Sequence, residues 1–417
     1  MIDREQLQTV LGLSNIIIDR VVFTDSHTLN IYVTSTQNGC ACHRCGQWIT
    51  TPHGVGAEIR LRHLPMFDYR TEIILKPKRY RCLNCDNHPT TTQTLEWYTP
   101  RSSFTKAYEQ ELLRALVNST LEDVSCKYDV SSDQLDSLID RSVAQTVDWE
   151  RFERLDVIGV DEISLKKGHR QYVTVVSALI DGTLTILAVL ADRTKATVEK
   201  FFRSIPKRLR RTVRAICSDL YAGFINAAKA VFGRRVAICA DRFHITKLYR
   251  EGVESVRKQE LKHLKKTLPK AEYESFKKAH WILRKSEADL TADERRIRTR
   301  LFAKSPKLQQ AYALSQALTA IYESRLTPGQ AKRQFSGWII RVQHSQLTCF
   351  NRFIKTLRAH WNEVANYFID RQTSGFVEGL NNKIKVLKRR SYGLFNPKRL
   401  FQRVYIDLHG YDLFAVP

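Results

Sequence analysis

Membrane-length apolar runs are missing from this 417-residue sequence. No stretch approaches the roughly 20 apolar residues that a bilayer-spanning helix needs. The start, Met1-Ile2-Asp3-Arg4-Glu5, lacks the basic opening of a secretory signal, so a soluble cytoplasmic protein with no membrane partner is expected. Glycine and proline are few (17 and 11) and hydrophobic residues reach 43%, which excludes collagen-like and disordered classes. The nine cysteines are an odd number, and a disulfide framework is not expected in a reducing compartment. Acidic residues are scarce: 43 Asp+Glu against 67 Lys+Arg leave a net charge of +24. A surplus of that size attracts phosphate polyanions or acidic membrane surfaces.

The shortage of acid is uneven. Residues 1–150 carry 15 basic and 19 acidic side chains, whereas residues 151–417 carry 52 and 24. A boundary near 150 thus separates a net-acidic region from a strongly basic one, and the basic bias favours nucleic acid as partner over a merely solubilising surface.

Five of the nine cysteines precede residue 86. Cys42-x-x-Cys45 and Cys82-x-x-Cys85 form two knuckles, each of which puts two thiolates in reach of one tetrahedral zinc. Strand-like runs at Glu58–Leu64 and Arg70–Tyr80 lie between them, as in a zinc ribbon. Four protein ligands leave no open position, so the zinc is expected to be structural. Cys40 and His88 are nearby substitutes, and buried free thiols are the alternative.

Residues 104–145 read as helices. Leu112, Leu113, Leu116 and Val117 form one apolar stripe; a second helix covers Thr120–Tyr128; Asp129-Val130-Ser131 turns the chain. Ser132 would cap a third helix carrying Leu135, Leu138 and Ile139. The layout is like a helix-turn-helix, although Asp133, Asp136 and Asp140 would repel phosphate. A packing or dimerising helical pair fits equally well.

From 155 the pattern changes to strands. Leu155–Ile163, Gln171–Ile180 and Thr183–Ala191 are β-rich, and Asp181-Gly182 between the last two signals a hairpin. A helix at Thr194–Ile205, a strand at Thr212–Cys217, a helix at Tyr221–Phe232 and a strand at Arg235–Ala240 follow. This order predicts an α/β layer with a mixed sheet. Asp161 and Asp219 stand at carboxyl ends of apolar strands, where open α/β sheets place ligand sites. Two such carboxylates suit Mg²⁺ and phosphodiester chemistry; taken singly, each could equally cap a turn. The third carboxylate is sought in Thr373–Arg390, where Glu378 lies off an apolar stripe of Phe376, Leu380, Ile384 and Leu387. Asn382, Lys385 and Arg389 share its face, offering an amide and two cations to a DNA backbone; a merely solvated helix face is the alternative.

Five stretches go further than pattern. They are Gly159-Val160-Asp161-Glu162, Lys167-Gly168-His169-Arg170, Ser218-Asp219-Leu220-Tyr221-Ala222-Gly223-Phe224, Ala240-Asp241-Arg242-Phe243-His244 and the run from Ser374 to Gly393. In the last, Ser374-Gly375-Phe376-Val377-Glu378-Gly379-Leu380-Asn381-Asn382-Lys383-Ile384-Lys385 leads to Lys388-Arg389-Arg390-Ser391-Tyr392-Gly393. These resemble the ISL-three family of bacterial insertion-sequence transposases, of the DDE type, over almost the whole chain.

The resemblance implies a multidomain α/β protein. Residues 1–100 would be a zinc-ribbon-like module, and 101–150 a helix-turn-helix-like connector. An RNase H-like mixed-sheet catalytic core, 151–245 and 371–417, would be interrupted by a large helical insertion at 246–370. Asp161, Asp219 and Glu378 become the catalytic triad, holding two Mg²⁺ or Mn²⁺ ions; Asp241 is the reserve for Asp219. Lys167, Arg170, His244, Lys388 and Arg390 join Asn382, Lys385 and Arg389 as candidate DNA contacts. The implied activity is cleavage and strand transfer on double-stranded DNA, at terminal inverted repeats and at target DNA. The implied protein works as a homodimer or larger assembly on the nucleoid. A non-catalytic DNA-binding derivative, a structure-specific nuclease of the same fold and an RNA-binding zinc-ribbon protein are the competing readings.

Overall fold

The computed structural model describes residues 4–25, 27–165, 172–285, 287–371 and 375–415. It divides into two compact units: 1–143 with 406–417, and 144–405.

The first unit is built on a four-stranded sheet in the order Ile16–Phe23, Thr28–Ser35, Tyr69–Leu75, Ile59–Met66. The outer pairs are antiparallel and the central pair parallel. Alternating residues such as Ile31, Val33 and Ile73 point to one side and pack on Leu95, Trp97 and Tyr98. Small strands around the cysteines form separate sheets, Cys40–Ala41 with Trp48–Ile49, and Thr51–Val55 with Lys78–Arg81 and Thr90–Thr92. The run expected as one strand over Arg70–Tyr80 is therefore two. Pro77 separates them, because it has no N–H to offer a ladder, and the halves join different sheets.

Three helices follow, Lys106–Ala115, Leu121–Tyr128 and Ser132–Ser142, started by the side chains of Thr105, Thr120 and Ser131. Ser131, one residue earlier than expected, makes the third cap together with Gln134. Asp129 takes the left-handed conformation between the second and third helices (φ 49°). Its carboxylate accepts from Arg70 at 2.8 Å and its carbonyl from Arg62 at 2.8 Å, which pins the inter-helix turn to the sheet.

The second unit holds a five-stranded sheet in the order Thr183–Leu190, Tyr172–Ile180, Val157–Ser164, Ala215–Ser218, Ala237–Ala240. Tyr172–Ile180 runs antiparallel to both its neighbours, and the last two strands run parallel to Val157–Ser164. Asp181 and Gly182, both at positive φ (47° and 81°), turn the hairpin. Val157–Ser164 is central, and its apolar first half is buried on both faces. Helices Lys195–Ser204 and Ala222–Phe232 cover the sheet through Val198, Phe202, Phe224 and Ala228.

From Arg242 to Phe368 the described chain contains helices and turns but no strand. The first helix, Arg242–Thr267, runs 26 residues, about 39 Å at 1.5 Å per residue. The helices share a core around Tyr249, Phe335, Trp338 and Phe353, and the Trp338 indole donates to the Leu314 carbonyl at 2.7 Å. The segment returns to the sheet where Asn366 donates to the Ile238 carbonyl at 3.0 Å, on the edge strand. No helix among the described residues is long and apolar enough to cross a membrane.

Candidate functional site

Parallel register brings three aspartates together. Val160 pairs with Ser218, and Ser218 with Ala240, so Asp161, Asp219 and Asp241 are the next residues on three adjacent strands. Each is half-buried at a carboxyl end of the sheet. Asp161 accepts from the Glu162 N–H at 2.7 Å, and Asp219 from the Tyr221 N–H at 2.9 Å. Asp241 starts the long helix by accepting from the Phe243 N–H at 2.7 Å, and its other oxygen meets His244 Nδ1 at 2.9 Å. Sequence reasoning held Asp241 in reserve; register puts it level with the other two.

Burial raises the Asp161 carboxyl to about 6, and the charges of Asp219 and Asp241 act the same way. Burial likewise raises Asp219. His244 is raised by its hydrogen bond to Asp241, with help from Asp161 and Asp219. One imidazole thus faces three half-buried carboxylates. Hard oxygen donors at neighbouring strand ends are of the type that suits a divalent cation such as Mg²⁺, but among the described residues no three of Asp161, Asp219, Asp241 and His244 bring ligand atoms within 4.8 Å of one another.

The helix Gly375–Arg390 meets this strand end because of Gly159. A Cβ at Gly159 would lie 2.3 Å from Val377 Cγ2 and 2.7 Å from the Phe376 ring. Only glycine lets the helix approach so closely. Asn381, 6% exposed, donates its amide to Asp161 Oδ2, while its own Oδ1 is buried with no partner. Lys388 donates to the Ser164 carbonyl at the end of the same strand. Glu378, Asn382, Lys385, Arg389 and Arg390 are exposed, with Glu378 one turn before Asn381 on the same side of the helix. Among the described residues, Asp161, Asp219 and Glu378 do not bring ligand atoms within 4.8 Å of one another. Lys167 and Arg170 lie outside the described residues.

Two partners escaped the sequence reading. One is Asn381, which neighbours the expected Asn382 but is buried where Asn382 is exposed. The other is Arg193, which pairs with Glu162 at 2.7 Å and packs over the rings of Tyr172 and Tyr221. It braces the residues that follow Asp161 and Asp219. Helical spacing from Leu380 and Ile384 could have flagged Asn381 as inward; nothing local flags Arg193.

In the first unit, Cys42, Cys45, Cys82 and Cys85 bring their sulfurs within 4.8 Å of one another. Cys42 and Cys85 are 4.0 Å apart and Cys45 and Cys82 3.8 Å. Four Zn–S bonds of about 2.3 Å in a tetrahedron set an edge of about 3.8 Å. The backbone N–H groups of Cys45 and Arg44 lower the Cys42 thiol to about 6. The set therefore fits a structural zinc. Cys40 stays outside it, its sulfur 3.9 Å from the Thr91 carbonyl, and His88 turns Nδ1 to the Cys82 carbonyl at 3.2 Å.

The family model DDE_Tnp_ISL3, described as Transposase, matches residues 158–404. The chain is 25% identical over 416 residues to the transposase for insertion sequence element IS1001 of Bordetella parapertussis, spanning 98% of this chain and 99% of that protein. It is 24% identical over 394 residues to the transposase for insertion sequence element IS1557 of Mycobacterium tuberculosis, strain CDC 1551 / Oshkosh, spanning 89% and 86%. The family match runs from the strand that carries Asp161 to beyond the helix that carries Glu378, and on it the chain belongs to the ISL3 family of transposases.

Proposed function

We propose that this chain is the transposase of a bacterial insertion sequence, binding the element's terminal inverted repeats and cutting and joining DNA through Asp161, Asp219 and Glu378. The observation that carries the reading is the register of Asp161 and Asp219 beside the helix bearing Glu378. The strand order and directions support reading the sheet as an RNase H-like core, with 246–370 as its helical insertion.

Asp161, Asp219 and Glu378 hold the divalent ions, two Mg²⁺ or Mn²⁺. Bound there, such ions polarise the phosphodiester and lower the pKa of water. Asn381 orients Asp161, and His244 Nδ1 holds the Asp241 carboxylate. Asn382, Lys385, Arg389 and Arg390 present an amide and cations to the DNA backbone, and binding weakens as salt rises. Cys42, Cys45, Cys82 and Cys85 hold one zinc, which stabilises the first unit's fold. Residues 1–100, as zinc module, and 101–150, as helical connector, read the repeats. Pairing two ends calls for a homodimer or larger assembly on DNA in the nucleoid.

The test is incubation of the purified chain and Mg²⁺ with a duplex carrying the DNA that flanks its reading frame, plus a target plasmid. Cleaved ends joined to the plasmid are expected. Cleavage without joining would make it a nuclease, and binding without either would make it a non-catalytic derivative.

A further inference from the structure

A groove leads away from the aspartate cluster along the long helix. Phe243, Lys247, Arg250, Glu254 and Arg257 recur at spacings of four and three, so they share one face of Arg242–Thr267. That face lines a cavity of about 610 Å³, whose opposite wall carries His280, Arg284 and Tyr312. The volume is that of a pocket for one small ligand. It is far too narrow for a double helix.

The lining has the chemistry of a nucleotide site. Phe243 is 55% exposed, and its ring packs in a T-shaped arrangement on His244 of the cluster, with 5.9 Å between ring centroids. Lys247, Arg250 and Arg284 have no carboxylate partner among the described residues. The cavity's acids are already engaged, Glu254 with Arg257 at 2.6 Å and His280 at 3.2 Å, and Glu251 with Arg352 at 3.9 Å. What stays available is one aromatic face and three cations. Such a combination binds single-stranded nucleic acid, bases stacking on the ring and phosphates meeting the cations.

We propose that this groove holds a short unpaired stretch of one DNA strand, with a base stacked on Phe243, and leads that strand to the aspartate cluster. The assignment rests on the DNA-processing reading above, but its test does not need cleavage. Phe243 sits next to His244, so a nucleotide stacked there continues a strand whose scissile phosphate lies at the carboxylates. An unpaired base beside the cut also fits an enzyme whose reactive carboxylates are half-buried.

The test measures binding of fluorescein-labelled dT12 and of a 20-base-pair duplex to the full chain by anisotropy. Phe243→Ala is expected to weaken dT12 binding about fivefold or more, and Arg250→Glu tenfold or more. Phe243→Trp should restore affinity. Duplex binding should change less than twofold, and the charge-matched Lys200→Glu should leave dT12 binding intact. Melting temperatures equal to wild type exclude misfolding. No dT12 binding by the wild-type chain, equal binding by all variants, or parallel loss of dT12 and duplex would overturn the proposal. Binding is read without Mg²⁺ and without cleavage, so a failure of the catalytic reading alone leaves this result standing.

Discussion

Asn381 donates its side-chain amide to Asp161 Oδ2, joining residues 220 positions apart. The bond fixes the rotation of the Gly375–Arg390 helix against the central strand, with Glu378 one turn before Asn381. Hydrogen bonds to charged groups contribute about 1.5–3 kcal/mol. Asn381→Ala is therefore expected to slow metal-dependent end cleavage at least tenfold in single-turnover assays, with gel-shift affinity for end DNA within twofold of wild type. Unchanged cleavage would mean that Asp161 needs no such support.

Gly159→Ala tests the close approach of that helix. The added methyl overlaps Val377 and Phe376, so the helix must move or the core strain. A loss of about 1–3 kcal/mol is expected from urea unfolding, together with a larger fall in cleavage than in DNA binding. Full stability in the variant would mean that the helix is not held where the structure has it.

The thiol cluster predicts about one zinc per chain by elemental analysis. Cys42→Ser with Cys85→Ser should remove it and unfold the first unit, because site assembly and folding are coupled. Cys40→Ser should keep the metal. Equal zinc in both proteins would contradict the four-ligand assignment.

The strands, hairpin, cysteine knuckles and Asp161 were legible because each rests on local signals: β-branched runs, Asp-Gly, Cys-x-x-Cys, a carboxylate at a strand end. Pro77 had the signal to split the Arg70–Tyr80 strand, and the apolar run masked it. The role of Asn381 and the bracing by Arg193 were not legible, because both depend on register between distant segments. Asp241 lay between these cases: its strand was readable, but its alignment with Asp219 needed the parallel pairing of Ser218 with Ala240. Exposure of Glu378 follows from its lying off the same apolar stripe that marked the helix.

Acid should destabilise the first unit through His63. Buried beside the Thr105 hydroxyl at 2.8 Å, its imidazole is lowered by burial from 6.5 to about 4. The unfolded chain therefore takes up the proton first. This histidine costs nothing above about pH 6.5, and stability falls by up to about 3 kcal/mol as pH drops to about 4. Calorimetry from pH 7 to 4 should show this loss for wild type and a flatter profile for His63→Gln. The same slope in both would place the acid sensitivity elsewhere.

The account stands most directly on metal-dependent cleavage of end DNA by Asp161→Ala, Asp219→Ala and Glu378→Ala. Each is expected to lose about a hundredfold or more of the wild-type rate while still retarding the same duplex in a gel. Cleavage persisting near the wild-type rate in Asp161→Ala or Glu378→Ala would contradict it.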